Sequence, residues 1–257
     1  ETDLSHALRG DLGVSVAYFP TPVIEVIGIG LMWTIFLAGA AMLISFSAGT
    51  LLGTVAAWRR GGWLDSLTPP IRSLLGSCPY FWTAMAALFV LGFSMGWFPL
   101  RHAYGPDVHP GFNLPFMLSA VRHAALPAIT MVVASLGGWM LAMRNTMIGV
   151  LGEDYISYAY IRGIPERRIM LHYAARNALL PNLTGFGMAL GFVLSGALLT
   201  EIVFSYPGQG YLLLQAVQTQ DYPLMQGLFL TITLAVLLAN WLVDIATALL
   251  DPRTRES

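Results

Sequence analysis

Four arginines, Arg162, Arg167, Arg168 and Arg176, fall within one polar stretch, EDYISYAYIRGIPERRIMLHYAARNALLP, spanning 153–181. Their guanidinium groups carry a fixed charge and five donors, which suits them to pair with carboxylates on another protein. The stretch reads as helix, breaks at Gly163-Ile164-Pro165, and reads as helix again. Glycine permits the sharp turn, and proline costs little at the start of the helix that follows. A compact basic helix pair between two apolar runs offers a soluble partner a docking surface. Retention of positive charge on the cytoplasmic side of a membrane accounts for the same arginines, and the two readings are compatible.

The other reactive side chains form no catalytic set. All 13 basic residues are arginine. A P-loop needs its lysine on the phosphates, so any ATP hydrolysis driving this chain belongs to another subunit. There is no HExxH and no GxSxG. His102, His109 and His123 are spaced by 7 and 14, which matches no zinc pattern and reads as solvated loop histidines. The single Cys78 excludes an intrachain disulfide and a Cys-rich metal site. Ser195 precedes Gly196, but no histidine lies in that apolar run or the next, so it reads as a small packing residue. Glu201 ends its run and is expected to hydrogen-bond the loop that follows. Asp244 lies two turns before Asp251, which favours a cap or interface role over a proton or substrate site.

The elements that must position these residues are apolar. The chain is 56% hydrophobic and 11% charged, with mean hydropathy +0.66. A soluble domain carries about 25% charge, so lipid is the expected solvent. The net charge of −1 provides no general attraction for nucleic acid. Five apolar runs are long enough to span a bilayer: Val23–Trp58, Cys78–Pro99, Ala124–Val150, Leu179–Ile202 and Leu224–Leu250. They predict an all-α, polytopic membrane protein. Trp63–Arg72 reads as a short polar connection, and Leu100–Arg122 as a Pro/Gly-rich loop with Pro127 in the first turn of the next helix. Gly49 and Gly53 form a GxxxG match that offers a small face for helix packing. With five spans, ten arginines fall on one side and Arg9, Arg101 and Arg122 on the other. That bias places the C-terminus and the 153–181 stretch in the cytoplasm and residue 1 outside.

The polar stretch resembles the cytoplasmic EAA loop of ABC importer permeases, most closely the B-type membrane subunit of the dipeptide/oligopeptide permease family. Glu153-Asp154-Tyr155, Gly163, Glu166-Arg167-Arg168 and Arg176-Asn177-Ala178-Leu179-Leu180-Pro181 stand at that family's spacings. EIVFSYPGQG (201–210) is similar to its E-x-x-F-x-x-P-G-x-G segment, and Asp221-Tyr222-Pro223 to its R-D-Y-P. Leu242-Val243-Asp244 with Leu250-Asp251-Pro252-Arg253 resembles its closing motif, and Gly10–Gly13 and Arg60–Asp65 fit as well. Ser157-Tyr158-Ala159 departs from Glu-Ala-Ala, so no salt bridge to an ATPase is expected at Ser157.

The resemblance implies a single transmembrane domain over 1–257, with 153–181 as its coupling loop. Its coupling helix would run roughly from Tyr158 to Leu171, with ATPase contacts from Ser157, Tyr158, Ala159, Arg162, Gly163, Pro165, Glu166, Arg167 and Arg168. Asn177, Pro181, Glu201, Pro207, Gly208, Gly210, Asp244 and Asp251 would be structural motif residues. It also implies six spans in the full subunit, in a bacterial or archaeal cytoplasmic membrane. The partners would be two ATP-binding cassette subunits, a homologous second permease and an extracytoplasmic substrate-binding protein. ATP and Mg would sit on partner subunits and no cofactor on this chain. The solute class would be peptides, with nickel chelates, oligosaccharides and glutathione as variants. A secondary transporter acting alone is the alternative of a different class.

Overall fold

The computed structural model describes residues 12–191 and 197–250, and among them every regular element is helical. Helix α1, Val23–Trp58, is the first predicted apolar run and contains one π-helical turn at Ile35–Gly39. After the Arg59–Gly62 turn come α2, Trp63–Ser77, and α3, Tyr80–Ser94, which meet at 86°. Helix α4 is Leu114–Leu151 and α5 is Asp154–Ile161. Helix α6 covers 166–191 and includes a π-helical segment, Ile169–Ala175. Helices α7 (Leu198–Phe204), α8 (Gln209–Gln218) and α9 (Tyr222–Leu250) complete the order.

Two expectations are corrected at the second and third spans. Trp63–Arg72 is helix, not a polar connection. Gly62 enters in an extended conformation and Asp65 sits in the first turn, where it accepts from Gly61 N at 2.9 Å. A carboxylate there complements the helix dipole. Pro69 and Pro70 lie inside α2 and cannot donate to the carbonyls of Asp65 and Ser66. The bend comes later, at Cys78-Pro79, where Pro79 is the N-cap of α3. The helix α4 begins at Leu114 rather than Ala124, because Asn113 Oδ1 accepts from Phe116 N at 2.9 Å and caps it there. Pro127 is therefore internal.

Helices α1, α4 and the Tyr222–Leu242 part of α9 are each long and apolar enough to cross a membrane. The bent pair α2–α3 makes a fourth crossing if it is one broken span. The predicted run Leu179–Ile202 is shared between the end of α6 and α7, and 192–196, with Ser195, lies outside the described residues. So do Gly10, Asp11 and Asp251. Asp244 falls within α9, but its side chain is outside the described residues.

Helices α1 and α4 pack through Gly49 and Gly53. A Cβ on Gly49 would stand 2.6 Å from Trp139 Cβ, and one on Gly53 2.9 Å from Met143 Cβ. The GxxxG pair is a real close approach of two backbones. At the end where α1 stops, α4 and α2 are joined by an ion pair between Arg144 Nε and Asp65 Oδ1. Large apolar side chains such as Met32, Phe89 and Trp241 remain exposed along the long helices, as expected of faces that meet lipid or another membrane subunit.

Candidate functional site

The 153–181 stretch folds as a helix-turn-helix packed against the ends of α1 and α4. Helix α5 buries Ile156 and Ala159 against Ala57, Met143, Met147, Ile169, Ala174 and Ala178. It turns through a glycine C-cap. Gly163 has φ +70° and its N–H donates to Tyr160 O at 2.9 Å, while Ile164 N donates to Ala159 O at 3.2 Å. These two bonds make a Schellman motif, and the half-buried Ile164 after it packs on the same core. Pro165 is then the N-cap of α6, its carbonyl accepting from Arg168 N at 2.8 Å and Ile169 N at 3.1 Å.

This geometry sorts the expected coupling residues into two faces. Ser157, Tyr158, Arg162, Gly163, Pro165, Glu166, Arg167 and Arg168 are all exposed. Ala159 is buried, so it anchors α5 and offers nothing to a partner. A single coupling helix from Tyr158 to Leu171 is also corrected, since the turn at 162–165 divides that range between α5 and α6. Beside the arginines the outer face carries apolar surface, with Tyr158 67% and Ile161 80% exposed. Ile161 carries no family signal and was missed in the sequence; its place at the last turn of α5, opposite Ile156, is the pattern that reveals it.

Two further side chains hold the helix pair in place. Asn177 Nδ2 donates to Tyr155 Oη at 2.9 Å and to Tyr173 O at 3.0 Å, tying α6 back to α5. Tyr160 stacks on Trp58 of α1 with ring centroids 6.5 Å apart and planes inclined by 17°. Pro181 is exposed within α6.

The EIVFSYPGQG segment (201–210) lies at the other end of the bundle and forms a knot between α1, α7 and α8. Buried Glu201 accepts from Thr34 Oγ1 at 2.7 Å and from Gly210 N at 2.7 Å. Thr34 Oγ1 in turn accepts from Gln209 N at 2.8 Å. The carboxylate thus meets the free donors at the N-terminus of α8. A Cβ on Gly208 would collide with that carboxylate, and one on Gly210 would stand 2.9 Å from Leu198 Cβ. Pro207 leads the chain from buried Tyr206 into this cap. These are structural contacts. Among the described residues no three His, Cys, Asp or Glu side chains gather as metal ligands.

A bundle of long apolar helices, with a basic helix-turn-helix at one end, defines a multi-pass membrane protein. Residues 49–256 match the family model of the binding-protein-dependent transport system inner membrane component. The chain is 38% identical to the di/tripeptide transport system permease protein DppB of Pseudomonas aeruginosa, with 86% of this chain and 70% of that protein covered. It is 33% identical to the dipeptide transport system permease protein DppB of Escherichia coli K12, over 96% of this chain and 78% of that protein. The chain belongs to the family of inner membrane components of binding-protein-dependent transport systems. It is a permease subunit of an ABC importer and not itself an enzyme.

Proposed function

We propose that this permease carries di- or oligopeptides across the cytoplasmic membrane of a bacterium or archaeon by alternating access. The observation that carries the peptide reading is the similarity, over nearly the whole chain, to permeases named for dipeptides and di/tripeptides. The chain acts as one transmembrane domain with five spans in 1–257. Its C-terminus and the 153–181 loop face the cytoplasm. It works with a homologous second permease, two ATP-binding cassette subunits that bind ATP and Mg, and a substrate-binding protein outside. No cofactor sits on this chain.

In this reading the exposed face of α5 and the turn after it dock on an ATPase subunit. Tyr158 and Ile161 enter an apolar groove, and Arg162, Arg167 and Arg168 pair with acidic residues at its rim. Ser157 makes no ion pair, and Ala159 serves from beneath. When the ATPases close on ATP, the docked helix pair moves as a unit because Asn177 ties α6 to α5, and Tyr160 and the buried core fasten the pair to α1 and α4. The long helices then rock between two states.

Uptake of a labelled dipeptide by vesicles holding the whole importer tests this. Uptake is expected only with ATP inside the cytoplasmic-equivalent compartment and binding protein on the opposite side. Uptake by this chain without an ATPase subunit would replace the reading by that of a secondary transporter.

A further inference from the structure

Arg72, expected on sequence in a polar connection among the cytoplasmic arginines, lies within α2. Helices α2 and α4 run antiparallel, with Asp65 paired to Arg144 at one level and Arg72 against Gly137 at another. Seven residues of helix separate Arg144 from Gly137, which sets Arg72 about 10 Å further into the bundle. The place is made by three glycines. A Cβ on Gly137 would lie 3.4 Å from Arg72 Cα, and one on Gly138 3.8 Å from Arg72 Nε. A Cβ on Gly76 would clash with Arg72 Nη1 and lie 3.4 Å from its Cζ.

The direction of the side chain is the informative point. An arginine relieving its burial in a membrane snorkels towards the nearer water, which here means back towards Asp65. Helix geometry favours the same direction, because Cα–Cβ bonds tilt to the N-terminus. Arg72 does the opposite and lies over Gly76, one turn deeper. It is exposed and has no ion-pair partner among the described residues. A charge held this way in a membrane protein faces a water-filled path or a partner rather than lipid.

Beside it is a cavity of about 360 Å³ between α1, α3, α4 and α6, lined by Ser45, Tyr80, Ser135 and Trp139 among mostly apolar side chains. Ser135, which lines it, lies one turn before Gly138 on the same face of α4. The guanidinium stem thus passes Gly138, one helical turn along α4 from the lining of an apolar, hydroxyl-dotted space of small-molecule size.

We infer that Arg72 is a carboxylate-binding residue of the solute path, holding the C-terminal carboxylate of a passing peptide whose side chain occupies the adjacent cavity. This rests on the peptide-importer reading. An acidic residue of the second membrane subunit is the competing partner for the same charge.

The test uses the complete importer in vesicles, with one dipeptide supplied as free acid and as C-terminal amide, each saturating the binding protein. Arg72→Gln is expected to slow uptake of the acid about tenfold or more, the worth of a charge-assisted hydrogen bond, and to change amide uptake less than twofold. Arg72→Lys, which keeps the charge but not the fork, falls between. Equal loss for acid and amide, or no loss for either, overturns the inference while leaving the peptide reading intact. Failure of either variant to assemble with the second membrane subunit assigns the charge to an inter-subunit pair and also overturns it. Absence of any peptide uptake by the unaltered importer would instead remove the reading beneath it. In a Cys78→Ser chain, the thiol introduced by Arg72→Cys is expected to react with a water-soluble, anionic thiol reagent, and the acid peptide is expected to slow that reaction. A thiol unreactive in every nucleotide state overturns the inference.

Discussion

Thr34 of α1 and Glu201 of α7 are 167 positions apart in the chain and joined by a 2.7 Å hydrogen bond with both side chains buried. Thr34 also receives Gln209 N, and Glu201 receives Gly210 N. The pair therefore fixes the start of α8 against the first long helix. Removing one member leaves buried donors without acceptors, at about 1–3 kcal/mol each. Thr34→Val is expected to lower stability by about that amount, and Glu201→Ala by more, since two donors are orphaned. Thermal unfolding of purified permease in detergent measures both. Gly208→Ala forces a methyl into the Glu201 carboxylate, so its cost should be far from additive with that of Glu201→Ala. Strict additivity would separate Gly208 from the network.

Much of this arrangement was legible in sequence. The long apolar runs marked α1, α4 and α9, and a polar break marked the 153–181 helix-turn-helix. The position of Glu201 at the end of its run was enough to expect a bond to the next loop. Its second partner was not readable, because Thr34 lies on another helix. Pro69-Pro70 and nearby polar residues read as a linker, which hides that Arg72 lies within a helix, against Gly137 of α4. In the structure the Asp65–Arg144 pair and the glycines of α4 hold that segment as a helix. Ala159 was counted as a contact residue from its place in a motif, although its spacing from Ile156 puts both on the buried side of α5.

The α1–α4 contact has a steric limit. A methyl at Gly53 would stand 2.9 Å from Met143 Cβ and closer still to the Met140 carbonyl, and backbone cannot give way as a side-chain end can. Overpacking of this kind costs about 1–3 kcal/mol. Gly53→Ala is expected to lower the thermal midpoint, and Gly53→Leu to prevent recovery of folded protein. Gly28, with nothing within 4 Å of a Cβ, is the control: Gly28→Ala should be neutral or slightly stabilising. Equal effects at the two positions would count against the close approach.

Asp221, just before α9, carries a pH-dependent part of the stability. Its burial pushes the carboxyl up, but donors from Ala17 N, the Ser15 hydroxyl, Leu224 N and Val16 N outweigh that and hold it below the ordinary carboxylate range. Ser15 Oγ donates at 2.5 Å and Ala17 N at 3.0 Å. A lowered folded value means the native state favours the charged form. The resulting stability is fully present above the unfolded-chain value, about pH 4, and is lost as pH falls through the folded value. Asp221→Asn should therefore destabilise the protein at pH 7 by about 1–3 kcal/mol, with the difference from the unaltered chain shrinking below pH 4. A difference that stays constant to pH 3 would show that the charge is not what matters.

Gly163 makes the most direct test of the helix-turn-helix as a coupling element. Its φ of +70° lies where an L-residue pays about 1–2 kcal/mol, and proline, fixed near −65°, cannot adopt it at all. Gly163→Ala should keep the fold with a modest loss of stability. Gly163→Pro must break the bond from Gly163 N to Tyr160 O and reorient α5 relative to α6. The break is local, because the contacts of α1 with α4 do not involve the turn. Membrane insertion should be unchanged, and co-purification of the ATPase subunits should fall several-fold. Normal recovery of the ATPases with Gly163→Pro would mean that they dock elsewhere. The apolar part of the surface can be read separately. Ile161→Asp places a charge on an 80% exposed residue, where folding is indifferent to it. A loss of ATPase binding with an unchanged thermal midpoint would then identify the outer face of α5 as the surface that the partner covers.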